Sequence, residues 1–176
     1  MTVVIEGLRN LIAMHGVKKV SSFVSTFRCS ADKDLETFLR DTALRHETKD
    51  ISRTYIAFDT ENSEIKGYFT LAMKCLAVDE PKSIPDKIYE GMNVNRNIAQ
   101  AYLIGQLAKA DDTEKGFGRT MIFRALEMFM RGKDMFGCHL VRLDCKDELK
   151  DYYESCGFTN IGRNRDGTLN QMVQIV

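Results

Sequence analysis

The most constraining feature of the sequence is an apolar strand that runs through a glycine pair directly into an amphipathic helix. The strand covers residues 100–109 (QAYLIGQLAK), and apolar side chains recur at helical spacing from Phe117 to Phe129. Between them lies the segment Lys115-Gly116-Phe117-Gly118-Arg119. Two glycines at a helix start allow a sharp turn and expose several backbone amides, an arrangement that favours a bound phosphate.

Two common nucleotide-binding motifs do not fit this segment. A P-loop requires GxxxxGK followed by Ser or Thr, and the dinucleotide fingerprint requires G-x-G-x-x-G. The glycine pair here has Met121 where the third glycine would stand, and no P-loop lysine follows it. By itself the pair is a weak signal, because glycine turns at helix starts are common without any ligand.

The remaining segments alternate between strand and helix patterns, which predicts an α/β (α+β) fold with a single mixed central sheet flanked by helices. We expect one domain over residues 1–176, with residues 1–16 as an N-terminal helical extension. The predicted strands are 17–28, 53–59, 65–73, 100–109, 138–144, 158–161 and 169–176, of which 53–59 and 65–73 form a hairpin. The predicted helices are 5–15, 35–43 capped by Ser30 or Asp32, a short one within 74–98, 117–132 ended by Gly132, and 147–155.

Composition excludes several other classes of protein. Hydrophobic residues make up 44% and charged residues 28% of the 176 positions, which excludes a disordered chain. The 25 basic residues balance 25 acidic ones, which argues against a surface that is basic throughout but allows a local basic face. Zero net charge is also compatible with self-association, for example as a homodimer.

The cysteines and histidines predict neither a disulfide framework nor a metal site. The five cysteines include no CxxC pair, and the three histidines are scattered. Reduced cysteines are typical of a cytoplasmic protein. The N-terminus lacks the pattern of a signal peptide, and no apolar run reaches the length of a membrane span, so we expect no membrane association.

A second informative segment is Tyr153-Glu154-Ser155-Cys156-Gly157-Phe158, at the end of the last predicted helix. Together with the glycine pair it resembles the GNAT acyl-CoA N-acyltransferase superfamily, whose signatures are Q/R-x-x-G-x-G/A and Y-x-x-x-G-F. The resemblance extends from near residue 20 to the end of the chain. One departure is Thr113, which stands where the superfamily usually has Gln or Arg.

The resemblance implies acetyl-CoA as co-substrate and assigns roles to particular residues. The amides of Lys115, Gly116, Phe117, Gly118 and Arg119 would hold the CoA pyrophosphate. The backbone of Leu107, Ala108 and Lys109 would pair with the pantetheine arm. Tyr153 would be the catalytic general acid that protonates the leaving thiolate. A tyrosine with an ordinary pKa near 10 is protonated at neutral pH and can donate that proton.

The first half of the chain resembles a narrower group, the bacterial GNAT toxins that acetylate the amino acid on charged tRNA. The matching patterns are L-x-x-F-L-x-x-x-A at 35–43, S-R-T-Y at 52–55 and G-Y-x-T-L at 67–71. This resemblance implies aminoacyl-tRNA as acceptor and a ribbon–helix–helix antitoxin as partner. Candidate tRNA phosphate contacts are Lys18, Lys19, Arg28, Arg45, Lys49 and Arg53, for which solvated surface charge is an equal alternative.

The acceptor stays open between several classes at this point. The polar residues of strand 100–109 are Gln100, Gln106 and Lys109, so no Glu or His offers a general base. This favours an amine that is already partly neutral, such as the α-amine of an aminoacyl-tRNA. A small-molecule amine or a protein N-terminus is the alternative acceptor. A catalytically inactive acyl-CoA-binding module is a further alternative, supported only by Thr113.

Overall fold

A computed structural model of the protein describes residues 2–77, 85–90 and 98–176. The chain divides into two compact units. The first unit comprises Met1–Ala72 and Gln106–Met121, and the second comprises Met73–Gly105 and Ile122–Val176. The single domain over 1–176 therefore stays a prediction, and much of the irregular segment predicted over 74–98 lies outside the described residues.

The strands form one seven-stranded mixed sheet in the order β1-β2-β3-β4-β5-β7-β6. Neighbouring strands are antiparallel in the pairs β1/β2, β2/β3, β5/β7 and β6/β7, whereas β4 and β5 are parallel. The sheet architecture expected from the sequence is thus confirmed. The strands are β1 (Val3–Gly7), β2 (Arg53–Asp59), β3 (Ile65–Ala77), β4 (Ile98–Lys109), β5 (Leu140–Cys145), β6 (Thr159–Arg163) and β7 (Asn170–Ile175).

Helices occupy most of the connections between these strands. They are α1 (Leu8–His15), α2 (Val17–Val24), α3 (Lys33–Thr37), a π-helical turn (Phe38–Thr42), α4 (Ala43–Thr48), α5 (Asp86–Tyr89), α6 (Phe117–Phe136), a 3-10 turn (Asp147–Leu149) and α7 (Lys150–Glu154). The predicted helix over 35–43 is present, and the Asp32 side chain caps α3 by accepting from the amides of Asp34 and Leu35. Across the parts of the chain that the structure describes, no helix is long and apolar enough to cross a bilayer.

The N-terminus is part of the sheet and the core, which corrects the expectation of a helical extension over 1–16. Residues Val3–Gly7 form β1, which pairs antiparallel with β2 along its whole length. The helix begins only at Leu8, and Leu8 and Leu11 are buried in the first-unit core. Ile5 therefore belongs to a strand, because pairing with β2 satisfies its backbone groups while the apolar spacing continues into α1.

The predicted strand over 17–28 is wrong, because Val17–Val24 form α2. The β-branched residues of this segment favour a strand locally, but Val20 and Val24 lie four residues apart and both are buried against the first-unit core. The same stripe places Phe23 against Phe58 with ring centroids 5.5 Å apart. Burial of one helical face decides the conformation here, as tertiary context often does for short segments.

Helix α6 also differs from the prediction, since it continues past Gly132 to Phe136. A Cβ on Gly132 would lie 2.9 Å from the hydroxyl oxygen of Tyr102, so the glycine makes room for this ring. Tyr102 stacks on Phe129 at 4.6 Å and donates to the Gly137 carbonyl. The helix instead stops at Gly137, whose φ of 74° is left-handed.

Candidate active site

The glycine loop, residues 110–116, joins β4 to the N-terminus of α6 within the first unit. Gly116 has a φ of 91°, and a Cβ at this position would meet nothing within 4 Å, so conformation rather than space requires the glycine. Helix α6 begins at the next residue, and its first N–H groups have no partner within the helix. The Arg119 amide donates to the Gly116 carbonyl at 2.9 Å. The predicted pyrophosphate-binding residues Lys115 to Arg119 thus form a glycine turn at a helix N-terminus.

Side chains of the first unit fix this loop onto β3. Thr113 is 8% exposed, and its hydroxyl donates to the Lys66 carbonyl at 2.8 Å. The same carbonyl accepts from the Ala110 amide at 2.9 Å. The Lys109 ammonium donates to the Thr113 carbonyl at 2.7 Å. The loop is therefore bonded to the start of β3 at Lys66, and the residue that makes this bond, Thr113, is the one that departs from the superfamily pattern.

The strand segment Leu107, Ala108 and Lys109, predicted to contact pantetheine, lies at the end of β4. Ala108 is buried, and its carbonyl approaches β3 so closely that a Cβ on Gly67 would lie 2.7 Å from it. The preceding amide, that of Gln106, donates to the Thr70 hydroxyl at 2.8 Å. Gly67 and Thr70 belong to the G-Y-x-T-L pattern noted in the sequence, and both contact the last residues of β4.

The parallel ladder between β4 and β5 is short. Within the described residues it consists of Tyr102 paired with Val141 and Leu103 paired with Arg142. Strand β5 pairs with β7 over its whole length, Leu140–Cys145, so within the described residues Leu143, Asp144 and Cys145 have registered partners on β7 only. In the second unit, Ile104 and Gly105 therefore follow the last β4–β5 pair without a β5 partner. Backbone groups left unpaired at the carboxyl end of a parallel pair can bind a ligand chain by strand-like hydrogen bonds.

Tyr153 lies on α7 in the second unit and is 7% exposed. Its ring packs edge-on against Tyr152 at 5.3 Å and Phe158 at 6.0 Å. Burial raises the pKa of Tyr153 well above its ordinary value of 10, so the phenol keeps its proton. Its hydroxyl forms no hydrogen bond within the part of the chain that the structure describes. The Gly157 φ of 96° turns the chain so that the Phe158 amide bonds the Tyr153 carbonyl.

Strand β5 carries a buried ion pair that was not predicted from the sequence. Arg142 is 4% exposed, and its guanidinium bonds both carboxylate oxygens of Asp144, at 2.8 and 2.9 Å, and the Cys75 carbonyl at 3.1 Å. The Asp144 side chain is 18% exposed. The two hydrogen bonds from Arg142 therefore compensate the Asp144 charge and fix both side chains within the second unit. The sequence signal for this pair was the alternation of Arg142 and Asp144 with apolar residues in a predicted strand.

Two of the candidate tRNA phosphate contacts are engaged within the protein. The Arg28 guanidinium donates to the carbonyls of Ser25 and Phe27, at 2.9 and 2.8 Å. Arg53 forms ion pairs with Glu47, at 3.2 Å, and with Asp50. Lys18, Lys19, Arg45 and Lys49 are exposed and have no ion pair inside the described ranges. Of the six candidate phosphate contacts, these four side chains are therefore accessible to a ligand.

Metal and disulfide chemistry find no support in the described residues. No group of three or more His, Cys, Asp or Glu side chains among them could hold a metal ion. All five cysteines belong to the described ranges and are free thiols. Burial raises the pKa of Cys145 to about 11, so this thiol stays protonated.

The fold just described is shared with solved structures of toxins. The structure of AtaT complexed with acetyl-methionyl-tRNAfMet has a TM-score of 0.75 and 19% identity, covering 96% of this chain and 94% of that chain. A tyrosine-to-phenylalanine mutant of KacT has a TM-score of 0.76 and 17% identity, covering 99% of this chain and 95% of that chain.

A third structure holds a ligand and a partner peptide. It is a tyrosine-to-phenylalanine mutant of the AtaT toxin bound to the C-terminus of the antitoxin AtaR and acetyl-CoA. Its TM-score is 0.69 at 18% identity, and the match covers 98% of this chain and 92% of that chain. No family model and no curated protein matches the sequence. The chain thus shares the fold of the AtaT and KacT structures, which agrees with the GNAT-like fold expected from the sequence.

Proposed function

We propose that the protein is an N-acetyltransferase that moves an acetyl group from acetyl-CoA to a primary amine. The observation that carries this proposal is the fold that the chain shares, over nearly its whole length, with an acetyl-CoA complex of AtaT. Two features of the chain itself support it. The glycine loop ends at a helix N-terminus suited to a pyrophosphate, and the short β4–β5 ladder leaves backbone groups for pantetheine.

In the proposed reaction, the amine nitrogen attacks the acetyl carbonyl carbon and forms a C–N bond as the C–S bond breaks. The amides of residues 115–119 bind the pyrophosphate, and the backbone of residues 107–109 pairs with pantetheine. Tyr153 gives its phenolic proton to the departing CoA thiolate, and the proton that the nitrogen loses as it becomes an amide restores the phenol. Burial raises the pKa of Tyr153, so the phenol keeps its proton at neutral pH until charge develops on the sulfur, although it is a weaker acid than an exposed tyrosine. The attacking amine must be neutral, which a low-pKa α-amine achieves without a dedicated base.

The acceptor that we propose is the amino acid on a charged tRNA. AtaT, whose fold this chain shares, has been solved with an acetyl-methionyl-tRNA. The exposed cations Lys18, Lys19, Arg45 and Lys49 offer phosphate contacts. We also propose a ribbon–helix–helix antitoxin as partner, since AtaT has been solved with the C-terminus of the antitoxin AtaR. A homodimer remains part of the proposal for the oligomeric state.

The proposal is tested by incubating the purified protein with labelled acetyl-CoA and a panel of aminoacyl-tRNAs, free amino acids, polyamines and peptides. We expect label on aminoacyl-tRNA, with activity falling steeply as salt increases. Label on a small amine or peptide only would refute the tRNA acceptor. Absence of transfer to every amine, together with measurable acetyl-CoA binding, would identify an acyl-CoA-binding module instead.

The catalytic assignment is tested by Tyr153→Phe, with Tyr152→Phe as the matched control on the same helix. We expect Tyr153→Phe to reduce kcat by roughly a hundredfold, as is typical for loss of a general acid. Its melting temperature should hardly change, because phenylalanine keeps the ring contacts with Tyr152 and Phe158 and the hydroxyl has no hydrogen bond within the described residues. Equal kcat values for the two variants would remove Tyr153 from the mechanism.

A further inference from the structure

The glycine loop is held in place by the hydroxyl of a buried residue, Thr113. Thr113 is 8% exposed although both of its neighbours, Asp112 and Glu114, are exposed. Its hydroxyl reaches the Lys66 carbonyl, 47 positions away in the sequence, at 2.8 Å. The Thr113 side chain therefore points into the protein from an exposed loop, and its hydrogen bond joins the loop to the start of β3.

The hydroxyl closes a compact set of bonds around the loop. The Lys66 carbonyl accepts from both the Ala110 amide and the Thr113 hydroxyl, which uses the two lone pairs of one oxygen. The Thr113 amide donates to the Ala110 carbonyl at 3.1 Å, and the Thr113 carbonyl accepts from Lys109. Every polar group of Thr113 is therefore bonded inside the first unit. We call Thr113, Lys66 and Lys109 the loop anchor.

Asp111 makes a second set of contacts between the loop and the rest of the first unit. The Asp111 carboxylate accepts from the Ser30 amide and hydroxyl, both at 2.7 Å, and the Asp111 amide donates to the Arg28 carbonyl at 3.2 Å. Backbone bonding lowers the pKa of Asp111 from its ordinary value, so this carboxylate is ionised at neutral pH. The three residues that precede Glu114 are thus each tied to other parts of the first unit, Asp112 by a 3.7 Å ion pair with Lys66.

We propose that Thr113 is a positioning residue that fixes the amides of residues 115–119 for the pyrophosphate of acetyl-CoA. This inference rests on the proposed function. It removes the argument for an inactive module, because the shorter side chain at position 113 works through Lys66 rather than by touching a phosphate. A preorganised loop loses little conformational freedom when the anion binds, whereas a released loop must be ordered by the ligand.

The test compares Thr113→Val, which keeps the shape and removes the hydroxyl, with Thr113→Ser, which keeps the hydroxyl. Thr48→Val is the matched control, because it removes an exposed hydroxyl-to-carbonyl bond of the same kind on α4. For each purified full-length variant, Kd for acetyl-CoA is measured by calorimetry, and KM and kcat are measured by acetyl transfer. The same assays are repeated with S-acetylpantetheine, which has no pyrophosphate.

For Thr113→Val we expect Kd and KM for acetyl-CoA to rise roughly tenfold, as for loss of one hydrogen bond that organises the site, with kcat changed less than about twofold. Thr113→Ser and Thr48→Val should stay near the wild-type values. With S-acetylpantetheine, Thr113→Val should match the wild type. Equal acetyl-CoA affinity for Thr113→Val and wild type, or an equal loss with both donors, would overturn the inference.

The outcomes also separate this inference from the proposed function. A wild-type protein that neither binds acetyl-CoA nor transfers acetyl would refute the proposed function itself. A wild-type protein that is active and insensitive to Thr113→Val would refute only the role of Thr113. If Thr113→Val does not fold, as shown by loss of its cooperative thermal transition, the test rests on Thr113→Ser. This variant keeps the hydroxyl, so a loss of acetyl-CoA affinity in folded Thr113→Ser would contradict the role assigned to the hydroxyl.

Discussion

Replacing Gly67 by alanine tests how closely β3 and β4 approach beside the proposed pantetheine segment. The added Cβ would lie 2.7 Å from the Ala108 carbonyl oxygen and 2.8 Å from the Met121 sulfur. Ordinary contacts begin at 3.4 Å, so the Ala108 carbonyl must move by 3.4 − 2.7 = 0.7 Å. Met121 is fully buried and has little room to retreat. Gly67 is not among the residues with a positive φ, so the substitution adds no backbone strain and reports these two close contacts.

The expected cost follows from overpacking a site bounded by backbone. Extra carbon atoms in a packed core cost roughly 1–3 kcal/mol. Alanine also lowers the entropy of the unfolded chain, which offsets about 0.4–1 kcal/mol. We therefore expect the free energy of unfolding to fall by about 1–2 kcal/mol. Because the displaced carbonyl belongs to Ala108, KM for acetyl-CoA should rise as well.

Gly7→Ala is the matched control in the same sheet. Its Cβ would lie 3.6 Å from the nearest atom, Tyr55 Cε1, which is an ordinary contact, and its φ of −70° suits alanine. This variant should be as stable as wild type or slightly more stable. Both are measured by urea unfolding followed by circular dichroism, with unchanged m-values. If Gly67→Ala proved as stable as Gly7→Ala, the close approach of β3 and β4 would be wrong.

Two further predictions concern buried carboxylates of the first unit. The Cys29 amide and Lys33 lower the pKa of Glu36 to about 2, so its stabilising effect should be complete above its ordinary pKa of 4.5 and lost as pH falls towards 2. Acid unfolding should therefore be less steep in Glu36→Gln than in wild type; parallel curves would contradict this. Glu47 is 2% exposed, accepts from the Thr54 amide and pairs with the partly exposed Arg9 and Arg53, so Glu47→Gln should lower the free energy of unfolding, measured with urea, by roughly 2 kcal/mol. The exposed control Glu127→Gln should change it by less than about 1 kcal/mol, and equal losses would refute the burial argument.

Segments whose conformation is set by neighbouring residues were predictable from the sequence. The β2–β3 hairpin, β4 and the start of α6 lie where the alternation of apolar residues and turn residues indicated. Gly116 was predicted as a turn glycine at the start of a helix, and its φ is positive. The helix over Val17–Val24 was missed, because β-branched residues favour strands until burial against a core selects one helical face.

Partners distant in the sequence were not predictable, and they include the contacts that define the candidate site. The residue types alone determined an α/β sheet protein, a glycine turn at a helix start and a tyrosine before Gly-Phe. Only the tertiary structure decided that Thr113 bonds Lys66, that Asp144 is held by a buried Arg142, and that the β4–β5 ladder ends at Leu103. The physical reason is range: backbone conformation depends on residues a few positions apart, whereas side-chain bonds and strand registers depend on which segments pack together. Thr113 is an example: its departure from the superfamily pattern suggested a lost function, but in the folded chain its hydroxyl bonds the Lys66 carbonyl, a partner that the sequence could not show.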